Sequence, residues 1–347
     1  MSRRARLEVA ALEDRCTPAH VGMIAAGSGP GVESRVEVYN NQTGAFRFAV
    51  NPFPGFTGGV TVASGDVNGD QVDDLIVGAG PGGGPSVSVF DGNDGTFIGS
   101  TYAYESTFRG GVNVSAGDFN NDGKADIVVG SGVGGGPRVR VLNGQTFAVI
   151  REALVYEATF RGGVNVAAGD VNGDGTPDIA TSAGAGGGPR VVILNGKNFA
   201  TLSSFFAFDS STRTGINIAL GDVNADSRAD IAVGAGPGAP GEVKVFNARN
   251  LGLISDFFVS NQFGSVSRIP YISGDAGINV AVADVNGDDI GDILTAKGPG
   301  SIPVVRAYQI TAVNPTTNAL IPTLNEIGDL NVFNPNYGAG VSLGASS

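Results

Sequence analysis

The chain has 347 residues, with 33 acidic against 21 basic side chains, 56 Gly, one His, one Cys and no Trp. A lone His20 and a lone Cys16 exclude a structural zinc site, a His-based nucleophilic triad and a disulfide framework, so any chemistry falls to carboxylates. A net charge of −12 argues against nucleic acid as a partner, since phosphate neutralisation needs clustered Lys and Arg, and no apolar run is long enough for a transmembrane segment.

Residues 1–20 differ from the rest. Arg3, Arg4 and Arg6 precede Leu12-Glu13-Asp14-Arg15, and Glu8, Glu13 and Asp14 interrupt any apolar core of an ordinary secretory signal. This stretch reads as a disordered tail or, by its resemblance to Leu-Glu-Asp-Arg segments of large bacterial surface and exported proteins, as a sorting segment.

From residue 21 onward a single unit recurs: Gly-Gly-Val-Asn-Val, then Gly-Asp-Val-Asn-Gly-Asp, then Asp-Ile and a Gly-rich turn, then an alternating Val strand. The first aspartate of the acidic string falls at Asp66, Asp118, Asp170, Asp222 and Asp284, at spacings of 52, 52, 52 and 62. An insertion around Asn261 to Ile272, placed in a surface loop, accounts for the long step. Short Val/Ile/Phe segments between Gly, Asn and Pro turns predict four strands per unit; in the third acidic unit they cover 163–168, 178–183, 189–194 and 200–208. Four short antiparallel strands repeated at this period predict an all-β propeller, because each small sheet buries its faces only against its neighbours.

The termini complete the ring. Residues 22–50 contain a Gly-rich turn and an alternating strand but no first strand and no acidic loop, while residues 332–343 align without gaps on 155–166. The reading is a six-bladed β-propeller of four-stranded blades over 21–347, closed by pairing of the N- and C-terminal strands. One blade forms from 21–50 plus 338–347, and the others span about 59–107, 111–159, 163–211, 215–272 and 277–331.

The candidate metal ligands are the Asp-x-Asn-x-Asp-x-x-x-Asp strings: Asp66, Asn68, Asp70, Asp74; Asp118, Asn120, Asp122, Asp126; Asp170, Asn172, Asp174, Asp178; Asp222, Asn224, Asp226, Asp230; and Asp284, Asn286, Asp288, Asp292. Oxygen ligands at alternate positions of a tight loop, with a further carboxylate four residues on, can converge on one cation, and an all-oxygen set selects Ca²⁺ over zinc or copper. The competing reading is an Asx-rich turn whose side chains bond to their own backbone; five copies in constant phase favour the metal. The loops hold 15 of the 33 acidic side chains, so the acidity of the chain is the loops, and five Ca²⁺ would bring the net charge to about −2.

These strings, with Phe-Arg-Gly-Gly-Val-Asn-Val and Asp-Ile-Val-Val-Gly-Ser-Gly, resemble the FG-GAP repeats of the integrin α-subunit propeller and its bacterial relatives, over about residues 22–347. The resemblance implies Ca²⁺ in the hairpin between the first two strands of a blade, opposite the face that integrins use for ligands. Integrin propellers have seven blades, and Gly-Ala-Gly or Gly-Ser-Gly stands here for Gly-Ala-Pro, so integrin partner specificity does not carry over.

Other motifs have plainer readings. The string Gly78 to Pro85, echoed at 130–137 and 182–189, lies between two strands with no helix behind it and reads as a turn rather than a phosphate loop. Arg109, Arg161 and Arg213 share one phase, with Thr57, Asp275 and Gly338 as counterparts. They either form an anion-binding face opposite the acidic loops or pair internally with Glu105, Glu157 and Asp209, and internal pairing is preferred. Asn113, Asn165, Asn217 and Asn279 are expected to hydrogen-bond between blades, and Phe56, Phe108 and Phe160 to pack between them.

The functional expectation is a non-enzymatic, Ca²⁺-stabilised adhesion or protein-interaction module at the cell surface, outside the cell or in the periplasm. A protein or glycan ligand is expected on the face opposite the calcium loops. The alternatives are a lectin-like carbohydrate-binding propeller, weakened by the absence of Trp, and an accessory domain of a polysaccharide lyase or hydrolase.

Overall fold

The computed structural model describes residues 22–259, 277–299, 301, 303–313, 320–333 and 339–345. The N-terminal tail, the 261–272 insertion, Asp275 and Gly338 lie outside the described residues.

Six four-stranded antiparallel sheets make up the fold. The closing blade begins with β1 (Met23–Ser28), β2 (Val36–Asn40) and β3 (Phe46–Val50). Blade 1 follows as β4 (Val60–Gly65), β5 (Asp74–Ala79), β6 (Ser86–Phe90) and β7 (Phe97–Tyr102). Blade 2 comprises β8 (Val112–Gly117), β9 (Asp126–Ser131), β10 (Arg138–Leu142) and β11 (Val149–Leu154). In blade 3, β12 (Val164–Gly169), β13 (Asp178–Ala183), β14 (Arg190–Leu194) and β15 (Thr201–Phe206) coincide with the expected strands to within about two residues at each end. Blade 4 is β16 (Ile216–Gly221), β17 (Asp230–Ala235), β18 (Glu242–Phe246) and β19 (Leu253–Phe258). Blade 5 is β20 (Ile278–Ala283), β21 (Asp292–Lys297), β22 (Val304–Val313) and β23 (Leu320–Asn331), and β24 (Val341–Ala345) ends the chain.

The closing sheet has the order β24-β1-β2-β3, with Ala26 opposite Leu343, so the last strand of the chain is the innermost strand of the first blade. Each innermost strand contacts the next around the axis, and β24 contacts β4, which closes the ring. Closure removes the two open blade faces that a linear stack would expose to water.

Burial follows strand rank. The second strands β5, β9, β13 and β17 are buried at every position, packed on both faces between neighbouring sheets, and so after the opening aspartate read as runs of small and apolar residues rather than alternating, with Ser131, Thr181 and Ser182 the polar members. The outermost strands alternate, and Phe97, Tyr102, Leu154 and Phe206 are more than half exposed on the rim. Where the chain crosses from an outermost strand to the next innermost one, the second glycine of Gly-Gly-Val carries a positive φ, as at Gly111 (75°). A Cβ there would lie 2.4 Å from the Gly80 carbonyl carbon of the preceding blade, so both conformation and space require glycine.

Side chains of the innermost strands stitch the blades together. Asn113, Asn165, Asn217 and Asn279 donate Nδ2 hydrogen bonds to the carbonyls of Val164, Ile216, Ile278 and Val341 at 2.6–2.8 Å, and the Thr61 hydroxyl does the same to Val112 at 2.9 Å. At the sixth junction the equivalent side chain is Ser342, whose buried Oγ has no hydrogen-bond partner. Among the described residues no helix is long and apolar enough to cross a membrane.

Candidate functional site

The five acidic strings all lie in the hairpins between the first and second strands of blades 1 to 5, at one end of the ring. Their local architecture repeats. The first aspartate turns its carboxylate into the loop: Asp66 accepts hydrogen bonds from the backbone N–H of Gly69 (2.6 Å), Asp70 (3.2 Å) and Gln71 (2.8 Å). Asp118, Asp170, Asp222 and Asp284 each accept from the backbone N–H groups four and five residues on. The third-position asparagine donates Nδ2 to the last aspartate in every loop, at 2.6–3.3 Å for the pairs Asn68–Asp74, Asn120–Asp126, Asn172–Asp178, Asn224–Asp230 and Asn286–Asp292. The fifth-position aspartates Asp70, Asp122, Asp174, Asp226 and Asp288 accept from the backbone N–H two residues on.

The last aspartate opens the second strand and is buried. Asp74 accepts from the N–H of Val67 and Asn68, and from that of Gly92 in the hairpin turn between the third and fourth strands, so it fastens the acidic loop to that turn. Burial pushes Asp74, Asp126 and Asp178 up to about 6, and Asp230 and Asp292 up to about 7. In all but Asp74 the first and fifth aspartates of the same loop add to that rise; for Asp74 the added charge is Asp91.

The predicted ligands thus share each loop, and in loops 2 to 5 the first and fifth aspartates act electrostatically on the last, yet their oxygens serve as Asx-turn acceptors. Among the described residues no three carboxylate, imidazole or thiolate groups are gathered as a metal-holding set. The loops suit a hard divalent cation in two respects: every candidate donor is oxygen, and a buried carboxylate stands next to further carboxylates with too little positive charge nearby. Loop 3 is the exception, because Lys197 Nζ sits 3.0 Å from Asp174 Oδ1 and holds that carboxyl below its usual range.

Sequence reading missed the second half of this site. Asn93, Asn195 and Asn247, in the turns between third and fourth strands, donate to the outer oxygen of Asp70, Asp174 and Asp226, and Gln309 reaches Asp288. The recurring Asn after the third strand was the available signal. Adjacent loops are also tied: the carbonyls of Asp66, Asp170 and Asp222 accept from Ala125, Ala229 and Gly291 of the next loop, and that of Asp284 from Asn41 Nδ2. At Asp118 the corresponding residue is Pro177, which has no N–H. Two aspartates that break the repeat, Asp73 and Asp289, line a bowl of about 600 Å³ at the axial mouth on this face together with Asp222 and Asp284.

At the opposite end of the innermost strands, Arg109, Arg161 and Arg213 are exposed, and the residues that follow them, Gly110, Gly162 and Thr214, line an axial cavity of about 200 Å³. The expected pairing with Glu105, Glu157 and Asp209 does not occur. Each guanidinium curls back instead, its Nη1 donating to two carbonyls of its own turn, Ser106 and Phe108 for Arg109, Ala158 and Phe160 for Arg161, and Ser210 and Thr212 for Arg213. Glu105 and Glu157 face across the strands to Arg138 and Arg190, and Asp209 accepts from Ser211. Arg138 also stacks on Tyr104 at 4.6 Å, and its guanidinium holds Glu105 down to about 2. Phe108 and Phe160 pack edge-on against Tyr104 and Tyr156, whose hydroxyls bond into the next blade.

The sequence profile described as FG-GAP-like repeat matches residues 66–129 and 170–233, each covering one acidic loop and continuing through the next. Integrin alpha-8 of Gallus gallus is 29% identical over 228 residues, covering 59% of this chain and 21% of that protein. Integrin alpha-8 of Mus musculus is 30% identical over 233 residues, 61% of this chain and 22% of that protein. The chain therefore spans about a fifth of the length of these relatives. Among solved structures, U3-55K aligns over 90% of this chain and 82% of its own with a TM-score of 0.51 at 13% identity, a likeness of fold alone.

Proposed function

Since the chain is a closed six-bladed propeller carrying FG-GAP-like repeats, we propose that it is a non-enzymatic binding module, working outside the cytoplasm, whose acidic loops take up calcium as part of the folded structure. The observation that carries this reading is the five-fold recurrence of a buried aspartate at the end of an acidic loop, with two further carboxylates of the same loop acting on it in four of the five, on a chain of net charge −12. In this reading the three aspartates and the asparagine of each loop hold the cation, which supplies the positive charge that the buried carboxylate lacks. The loops lack the bidentate Glu of tight EF-hand sites, which suits weak binding at the high calcium levels found outside cells.

The ligand face in this proposal is the opposite end of the ring. There Arg109, Arg161 and Arg213 spread along half of the axial mouth, each steadied through one nitrogen with the remaining guanidinium donors exposed. Such forks suit carboxylate or sulfate groups on a protein or glycan. Melting with and without chelator tests the calcium part: a fall of more than about 5 °C with EDTA, reversed by CaCl₂ and not by NaCl, is expected. An unchanged melting temperature would overturn it. Binding of sulfated and carboxylated glycans before and after replacing the three arginines by Gln tests the face, and an absence of cleavage products in the same assays is expected of a non-enzyme.

A further inference from the structure

The acidic loops, numbered by blade, overlap around the ring: the seventh residue of one loop reaches back to the fourth position of the loop before it. Lys124 of loop 2 lies over Gly69 of loop 1, where a Cβ would come within 2.8 Å of its Cε. Arg228 of loop 4 lies over Gly173 of loop 3, where a Cβ would come within 3.0 Å of the guanidinium carbon. Thr176 of loop 3 meets Asn121 of loop 2 at 3.4 Å, and Gln42 of the closing blade comes to the equivalent place at Gly287 of loop 5. The seventh residue of loop 5, which follows loop 4, is the uncharged Ile290. Under both cations the covered residue is glycine, with φ of 88° at Gly69 and 75° at Gly173, because a side chain there would take the space of Lys124 or Arg228.

The turn between the third and fourth strands supplies a second post. In blade 3 it holds Lys197, whose Nζ is 3.0 Å from Asp174 Oδ1 and donates to the Asp174 carbonyl at 3.1 Å. The counterparts are Asn93 in blade 1, Gln145 in blade 2 and Arg249 in blade 4. Among the described residues Lys124, Arg228 and Arg249 make no ion pair, so the first two act on the field of the loop beneath them rather than on one carboxylate.

The five loops therefore differ in the charge that the chain itself sets beside them. Loop 3 is bracketed by two cations, Arg228 and Lys197. Loop 1 has Lys124, and Arg47 on the Gly92 carbonyl of the adjoining turn, set against the additional carboxylates Asp73 and Asp91. Loop 2 has Thr176 and Gln145; loop 5 has Gln42 and Gln309, with Asp289 as an extra carboxylate; loop 4 has Ile290 and the disengaged Arg249.

We propose that calcium enters the ring in an order fixed by these side chains, loops 2, 4 and 5 first, loop 1 next and loop 3 last, with Arg228 and Lys197 standing in for the ion at loop 3. The proposal rests on the calcium reading of the loops and adds that they are not equivalent. A cation about 7 Å from a divalent ion, screened at physiological salt, weakens its binding by about threefold, and more where protein rather than water lies between. Lys197 adds direct competition for the Asp174 carboxylate.

The test is a calcium titration of the EDTA-treated full chain followed by amide NMR. One reporter serves each loop, since the N–H groups of Gln71, Gly123, Gly175, Ser227 and Asp289 all donate to the first aspartate of their own loop. The Gly175 signal is expected to reach its midpoint at about ten times the calcium concentration of Gly123, Ser227 and Asp289, with Gln71 between. Arg228→Gln and Lys197→Gln should each lower the Gly175 midpoint about threefold and leave that of Gly123 in place. Arg228→Lys, which keeps the charge, should leave the Gly175 midpoint where it was, and Lys124→Gln should lower that of Gln71. Midpoints that coincide across the five loops, or that do not respond to Arg228→Gln and Lys197→Gln, would overturn the proposal while the calcium reading stands. Reporters that stay still in every loop at millimolar calcium would overturn both.

Discussion

Removing divalent cations should leave a protein that is more stable in mild acid than at neutral pH, the reverse of the usual behaviour of paired carboxylates. The five strand-opening aspartates have folded-state pKa values of about 6 to 7 against 3.8 for the free side chain. The folded state therefore binds these protons more tightly than the unfolded one. The stability linked to them is fully present near pH 4 and is lost as pH rises through the folded values of 6 to 7. A shift of two pKa units corresponds to about 3 kcal/mol; discounted to about 1 kcal/mol for loops that border solvent, five such groups contribute about 5 kcal/mol. With an unfolding entropy of about 2.1 cal/mol/K per residue over 347 residues, this is about 7 °C in melting temperature. Scanning calorimetry of the EDTA-treated chain should show most of that rise between pH 8 and pH 4, with about half of it reached by pH 5. Millimolar Ca²⁺ should flatten or invert the trend, because cation and proton compete for the same carboxylates. A calcium-free melting temperature that is flat or falls on acidification would refute the reasoning.

Asn165→Ala removes one of two side-chain hydrogen bonds to the Ile216 carbonyl, which keeps that of the Ser182 hydroxyl, and should cost about 0.5–1.5 kcal/mol in urea unfolding. Ser342→Asn should do the opposite, adding about 1 kcal/mol by extending the short side chain at the sixth junction, where the serine Oγ is buried without a partner. Gly111→Ala should cost at least about 2 kcal/mol, since it adds a left-handed penalty to a clash with the Gly80 backbone, as read by the same unfolding curves. Lys197→Gln should raise the calcium affinity of the third loop several-fold in calorimetric titration, by withdrawing the ammonium that stands 3.0 Å from Asp174.

The ring was legible in the sequence because its parts are periodic. The 52-residue step of the acidic strings marks blade length, and the gapless match of 332–343 to 155–166 anticipates β24 pairing with β1. The inter-blade role of Asn165 was legible too, since an amide recurring within an apolar strand needs a partner that every blade supplies. Contacts to backbone were not. The carbonyls of Ser106 and Phe108 that take Arg109, and the N–H groups that take Asp66, exist at every position and leave no trace in residue identity, so charge pairing looked the better choice for the arginines. The packing of Phe48 on Gly95 and of Phe147 on Gly99, where a Cβ would come within 2.8 and 2.9 Å of the ring, also escapes sequence reading, because it pairs residues of different blades whose neighbourhood only the closed ring defines.

Equilibrium dialysis of the metal-stripped chain against radioactive calcium tests the central claim most directly. Uptake saturating at one ion per acidic loop, five per chain, and falling by one in each of Asp74→Asn, Asp126→Asn, Asp178→Asn, Asp230→Asn and Asp292→Asn, is the predicted result. Absence of saturable uptake at millimolar calcium, or uptake that none of these substitutions changes, would contradict it.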